Sequence, residues 1–140
     1  MSRRGSKTNK LAIFAEGGKM GKIMVLVAED NEDVRTMMTY LLKTYGYEVI
    51  EASDGYEAVE MAVKAKPDLI LMDIAMPVLD GVQAVLAIRQ HEDLVKVPIV
   101  ALTAFGDYYA EKALEAGCND VIQKPLDFEH LRPLLQRYVS

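Results

Sequence analysis

The sequence predicts a three-layer α/β sandwich built on a parallel five-stranded sheet, and three observations carry that expectation. Short, wholly apolar runs recur, foremost IMVLVA at 23–28 and LILM at 69–72; strands buried on both faces, as parallel strands are, have this composition. Between them lie segments whose apolar residues are spaced by three and four, the period of a helix with one buried face. The two patterns alternate five times, which implies right-handed crossovers that lay helices on both faces of the sheet.

Each element has its own signals. Residues 1–21 mix glycine, serine and lysine without a sustained period. They are expected to form a disordered arm or a cloning remnant, with LAIFAE at 11–16 making at most one helical turn. The domain proper is expected over 22–140. Its first strand, 23–28, breaks at Glu29-Asp30-Asn31, and Asp30 or Asn31 suits the N-cap of a helix. Val34, Met37, Met38, Leu41, Leu42 and Tyr45 follow as its buried face, and Gly46 ends it. The second strand, 47–52, is more polar and is expected at an edge. Ser53 or Asp54 caps a helix to about Lys66 with Val59, Ala62 and Val63 inward, and Pro67 closes it. The run at 69–72 ends in Asp73; Met76-Pro77 stops regular structure, and Asp80-Gly81 turns into a third helix marked by Ala84, Val85 and Ile88, ending near 91–93. A fourth strand is expected over 97–102, with Pro98 at its start. A helix over 107–116, a short strand at Val121-Ile122, and a last helix using Phe128, Leu131, Leu135 and Tyr138 complete the alternation.

Composition excludes several function classes. With 51% hydrophobic and 26% charged residues, the 140-residue chain has the balance of one globular domain. No apolar run approaches the roughly 20 residues of a membrane span, and none is a signal-peptide core. The single cysteine, Cys118, has no internal disulfide partner, which suits a reducing cytoplasm and a role as a small hydrophobe. Through Lys22 there are six basic residues against Glu16, so the net charge of −5 divides into +5 for the leader and −10 for the body. A body so acidic repels nucleic acid phosphates, and direct DNA or RNA binding is not expected.

The chemistry gathers at strand ends. In an open parallel sheet the carboxyl ends lie along one rim, where such folds bind ligands. The first strand delivers Glu29 and Asp30 there, the third Asp73, the fourth Thr103 and the fifth Lys124. Each alone has an ordinary structural use as cap, turn or surface charge; their convergence does not. Three packed carboxylates need protons or a cation at neutral pH, and a hard divalent ion, Mg2+ or Mn2+, with oxygen ligands answers this. Lysine offers a mobile charge and threonine a hydroxyl donor for phosphate oxygens. The chemistry implied is phosphoryl transfer onto Asp73 as nucleophile, with Lys124 and Thr103 binding the transferred group.

KIMVLVAEDN, LILMDIAMPVLDG, VALTA and VIQKPL together resemble the receiver domain of two-component response regulators over 22–140, with Asp30–Asp73, Asp73–Thr103 and Thr103–Lys124 spacings of 43, 30 and 21. The resemblance implies a flavodoxin-like (βα)5 fold of strand order 2-1-3-4-5. It implies that Glu29 and Asp30 hold the metal with Asp73 and the backbone carbonyl of Ala75. It also implies that Asp73 accepts the phosphoryl group from a sensor histidine kinase or histidine phosphotransfer protein. Thr103 is then the switch hydroxyl and Lys124 the phosphate-binding lysine, followed by a cis bond to Pro125. Output would pass to a downstream protein through the fourth helix, fifth strand and fifth helix, and the face from the fourth to the fifth helix is where a homodimer would form.

Two departures qualify this. Three residues before the lysine the family usually carries Tyr or Phe, but here stands Val121, so no aromatic ring can rotate inward there. Tyr108 and Tyr109 could substitute for that ring, though by default they are ordinary helix-surface and packing residues. The two positions that tune phosphoryl lifetime are apolar, Ala75 and Phe105, which predicts slow self-dephosphorylation because neither holds an attacking water. The chain is thus expected to catalyse its own acylation without being a conventional enzyme. The competing class is a phosphorylation-independent interaction module of the same fold. A dehalogenase-type phosphatase is a poor fit, since its second Asp would fall on Ala75; a flavodoxin is poorer, lacking a phosphate-cradling loop after the first strand. His91 and His130 are expected to face solvent.

Overall fold

The structure, a computed structural model, describes residues 21–76, 78–104, 107–124 and 128–139. The expected arm, apart from Gly21, and the positions of Phe105 and Pro125 therefore lie outside the described residues, as does the His130 side chain. The elements run β1 (Met24–Ala28), α1 (Glu32–Thr44), β2 (Glu48–Ala52), α2 (Gly55–Ala65), β3 (Leu69–Asp73), α3 (Gly81–Arg89), β4 (Ile99–Thr103), α4 (Asp107–Ala116), β5 (Asp120–Gln123) and α5 (Phe128–Tyr138). A single 3-10 turn, Glu92–Leu94, sits between α3 and β4 and buries Leu94.

The strands form one parallel sheet of order β2-β1-β3-β4-β5. Period-two alternation divides the central strands between two cores. Leu26, Ala28, Ile70, Met72, Ile99 and Ala101 face Ala58 and Ala62 of α2, Ala84, Val85 and Ile88 of α3, and Ala113 of α4. Val25, Val27, Leu69, Leu71, Val100 and Leu102 face Met38 and Leu42 of α1 and Leu131 and Leu135 of α5. Both layers being covered explains why β3 and β4 are apolar at every core position, each large side chain contributing about 2 kcal/mol. Strand β2 lies at an edge, as expected, and exposes Glu48 and Glu51.

Side-chain caps set the helix starts. Asn31, Asp54 and Asp80 accept from the backbone N–H of Val34, Glu57 and Gln83 at 3.0, 2.8 and 2.9 Å. Gly46, at φ +95°, follows α1 in the left-handed region.

Three sequence expectations shift. Met37 is exposed, because Arg35 and Thr39 turn inward toward Glu51 and rotate the buried stripe of α1. The fourth strand begins at Ile99, so Pro98 precedes it and offers only its carbonyl, to the Ile70 N–H at 3.0 Å. Tyr47 is buried but lies one residue outside β2. His91 is exposed as expected. No helix among the described residues is long and apolar enough to cross a membrane.

Candidate functional site

The sheet register carries the predicted side chains to one rim. Ala28 pairs with Met72, Asp73 with Leu102, and Thr103 with Gln123, so Glu29, Asp73, Thr103 and Lys124 end neighbouring strands. The Lys124 N–H donates to the Thr103 carbonyl at 2.8 Å, tying the ends of β4 and β5.

Asp73 closes a strand buried throughout and is itself 2% exposed, while Glu29 is 1% exposed. Glu29 is therefore no surface charge. The Lys124 ammonium stands between the two, 3.1 Å from Glu29 Oε1 and 3.3 Å from Asp73 Oδ2. Asp73 Oδ1 accepts from the Ala75 N–H at 3.1 Å, and Glu29 Oε2 from the Asn31 N–H at 3.1 Å. Glu29 Oε1 is buried without a hydrogen-bond partner, the lysine meeting it as a charge contact rather than an aligned donor. Asp30 is exposed, and one oxygen from each of Glu29, Asp30 and Asp73 falls within 4.8 Å of the others.

The electrostatics follow from this crowding. Burial, then the Glu29 charge, pushes the Asp73 carboxyl up to about 7, against the opposing pull of Lys124 and the Ala75 amide. Burial disfavours the Lys124 ammonium, yet contacts with Glu29 and Asp73 outweigh it and raise its pKa. One lysine thus faces two buried carboxylates, and near neutrality the cluster retains a proton or takes up positive charge. A divalent cation fits these residues: the donors are hard carboxylate oxygens gathered within 4.8 Å, at a place where one lysine faces two buried carboxylates.

The loop after Asp73 is held close by Gly81. Its N–H donates to the Ile74 carbonyl at 2.9 Å. A Cβ there would overlap the Asp73 carbonyl oxygen and come within 2.7 Å of the Ile74 Cα, so only glycine lets α3 start against this strand end. Ala75 is exposed and lines, with Ile74, Asp80, Val82 and Tyr109, a shallow cavity of about 170 Å3.

Thr103 is buried at the rim. Val121 packs, partly buried, against the α2–α3–α4 core. Tyr108 and Tyr109 lie exposed on α4, edge to face at 5.0 Å, with the Lys112 ammonium 5.5 Å over the Tyr108 ring.

Sequence reasoning missed Arg35, Thr39 and Glu51. Arg35 Nη1 donates to the Glu29 carbonyl at 2.8 Å and Nε to Glu51 Oε1 at 3.1 Å, while Thr39 Oγ1 donates to Glu51 Oε2 at 2.8 Å. The available signal was a basic residue in the first turns of α1 with a carboxylate one residue before the end of neighbouring β2.

A parallel sheet of order 2-1-3-4-5, with a polar cluster where the order reverses, defines an open flavodoxin-like α/β domain, and that switch point is where such folds bind ligands. The family model for the response regulator receiver domain matches residues 25–136, and the chain belongs to that family. It is 41% identical over 118 residues to the transcriptional regulatory protein PdtaR of Mycobacterium tuberculosis, covering 83% of this chain and 56% of that protein. The chain therefore spans little more than half the length of that relative. Among solved structures, the chemotaxis protein CheY4 of Vibrio cholerae superposes with a TM-score of 0.80 at 33% identity, over 85% of this chain and all (100%) of that one. The receiver domain of sensor histidine kinase PA1611 from Pseudomonas aeruginosa gives 0.77 at 41% identity, over 84% and 97%, and that structure holds a magnesium ion coordinated in its active-site cleft.

Proposed function

We propose that the chain is a phosphoryl-accepting switch whose acceptor is Asp73. The observation that carries this reading is the buried carboxylate at the end of β3, 3.3 Å from a lysine shared with a second buried carboxylate. An Asp73 carboxylate oxygen attacks the phosphorus of a phosphohistidine on a sensor kinase or phosphotransfer protein. The P–N bond breaks, and the imidazole leaves and takes up a proton. Glu29, Asp30, Asp73 and the Ala75 carbonyl would hold Mg2+, which supplies neutralisation of charge on the phosphoryl oxygens. Lys124 follows the new negative charge, and the Thr103 hydroxyl donates to it.

The added charge biases α4, β5 and α5, and a downstream partner reads the result. Val121 leaves the usual position on β5 without a rotating ring, so the response there runs through the β4 and β5 backbones that Thr103 and Lys124 share. Ala75 and Phe105 lack groups to orient an attacking water, and the acyl phosphate is correspondingly long-lived. Phe105→Glu with Ala75→Asn shortens its lifetime; an unchanged decay rate removes that part of the reading.

The deciding experiment is intact-protein mass after incubation with acetyl phosphate or phosphoramidate and Mg2+. The wild type gains one phosphoryl group, Asp73→Asn gains none, and chelation of the metal abolishes the gain. No gain in a folded wild type overturns the proposal.

A further inference from the structure

The acidic pair is gripped from outside the site. Glu29 lies one residue beyond β1, yet its N–H donates to the Ala52 carbonyl at 3.0 Å and its own carbonyl accepts from Arg35 Nη1 at 2.8 Å. Arg35 is aimed in turn by Glu51, which takes Nε on one oxygen at 3.1 Å and the Thr39 hydroxyl on the other at 2.8 Å. The Arg35 side chain is only 16% exposed. A guanidinium fork reaches a carboxylate and a carbonyl in fixed mutual geometry, whereas a lysine is a single mobile point.

We infer that Arg35 is a positioning residue for the metal site: steered by Glu51 and Thr39, it locks the Glu29 backbone so that the Glu29 carboxylate and neighbouring Asp30 are presented to the cation that Asp73 shares. This rests on the reading of that cluster as a Mg2+ site. The lock ties the site to α1 and edge strand β2, so tension between those two elements is felt at the acidic pair. A mere staple of α1 to β2 would raise stability and leave metal affinity alone.

Isothermal titration of the full chain with Mg2+ separates the two. Arg35→Lys and Glu51→Gln weaken Mg2+ binding about tenfold, the scale typical when the partner of a metal ligand is removed. Thr39→Val weakens it less. The phosphoryl gain of these variants returns toward wild type at saturating Mg2+. Arg137→Lys, altering the exposed Arg137–Asp120 pair at 3.2 Å, changes nothing. Melting of the metal-free chains confirms that each variant is folded, and Glu51→Gln carries the test if Arg35→Lys is not. Affinities of both variants within twofold of wild type overturn the inference, as does a lower phosphorylation rate at saturating metal with unchanged affinity. A wild type that gives no Mg2+ binding heat overturns it together with the metal reading. A wild type that binds Mg2+ but takes no phosphoryl group removes the acceptor reading alone, and the affinities still decide the role of Arg35.

Discussion

Each rim of the sheet encloses a half-buried cation, and the two are treated in opposite ways. At the amino rim Arg89, at the end of α3, donates from Nη1 to the Leu94 carbonyl at 2.7 Å. Its Nε and Nη2 reach the Gly117 carbonyl at 3.1 and 2.9 Å, and Nη2 also reaches Asn119 Oδ1 at 3.1 Å. Asn119 in turn pairs with the Ile99 backbone in both directions, at 2.9 and 2.8 Å. Nearby Cys118 is buried, and its thiol is pushed up to about 12 by that burial, an inert filler. At the carboxyl rim Lys124 is divided between two buried carboxylates, and Asp73 is held far from its ordinary range. The arginine's donors are answered by neutral carbonyls and an amide that fix the fold, whereas the lysine is shared by two charges that compete for it.

The largest test of this contrast is pH. Asp73 titrates near 7 when folded against 3.8 unfolded. Between those values the folded state keeps a proton that the unfolded state has released, so stability falls as pH rises through the window and levels off above it. The metal-free wild type should lose a few kcal/mol relative to Asp73→Asn between about pH 4 and 7. Saturating Mg2+ should recover much of that loss, read by urea denaturation at each pH. A flat difference would place the carboxylate in an ordinary environment.

Arg89→Ala should cost about 3 kcal/mol by leaving the Gly117 and Leu94 carbonyls short of donors, with phosphoryl gain at Asp73 retained. Loss of the gain in a folded variant would mean that the two rims are not independent. Gly81→Ala should cost about 2 kcal/mol through the overlap with the Asp73 strand end, and here phosphoryl gain should fall as well. The smallest effect concerns Val78, a β-branched residue at φ +68° and 81% exposed. Val78→Gly should stabilise the chain by about 1 kcal/mol, seen as a higher denaturation midpoint with unchanged phosphorylation.

Much of this was legible in the residues. Apolar runs and helical spacing placed most strands and helices to within a residue or two, because buried faces are written in local periodicity; the third helix ends at Arg89, short of the expected 91–93, where a 3-10 turn takes over. The first two caps were readable to within one residue, Asp30 or Asn31 and Ser53 or Asp54, because a cap's partner lies three residues on; Asp80 was read only as part of a turn, and the structure makes it the cap of α3. The rim cluster followed from strand ends alone. Arg35–Glu51 and Arg89–Gly117 were not legible, since each joins residues 16 and 28 apart through side-chain direction, which no period encodes. The exposure of Met37 was hidden for the same reason: the inward turn of Arg35 and Thr39 depends on a carboxylate from another strand. Nor does sequence distinguish a buried Glu29 from an exposed Asp30 when the two are adjacent.

The open order of the sheet has one more consequence. Strands β2 and β5 border it, and unpaired backbone along such borders is a template on which a second copy can add a strand and begin a ribbon. Glu48 exposes a carboxylate on one side, while Glu51 and Asp120 are matched by Arg35 and Arg137 at 3.1 and 3.2 Å, so it is the net acidity of the body that makes approaching copies repel before their backbones meet. That protection is borrowed from low ionic strength: at 1 M salt the screening length shrinks to roughly 3 Å, and crowded solutions of this chain should then begin to polymerise edge to edge.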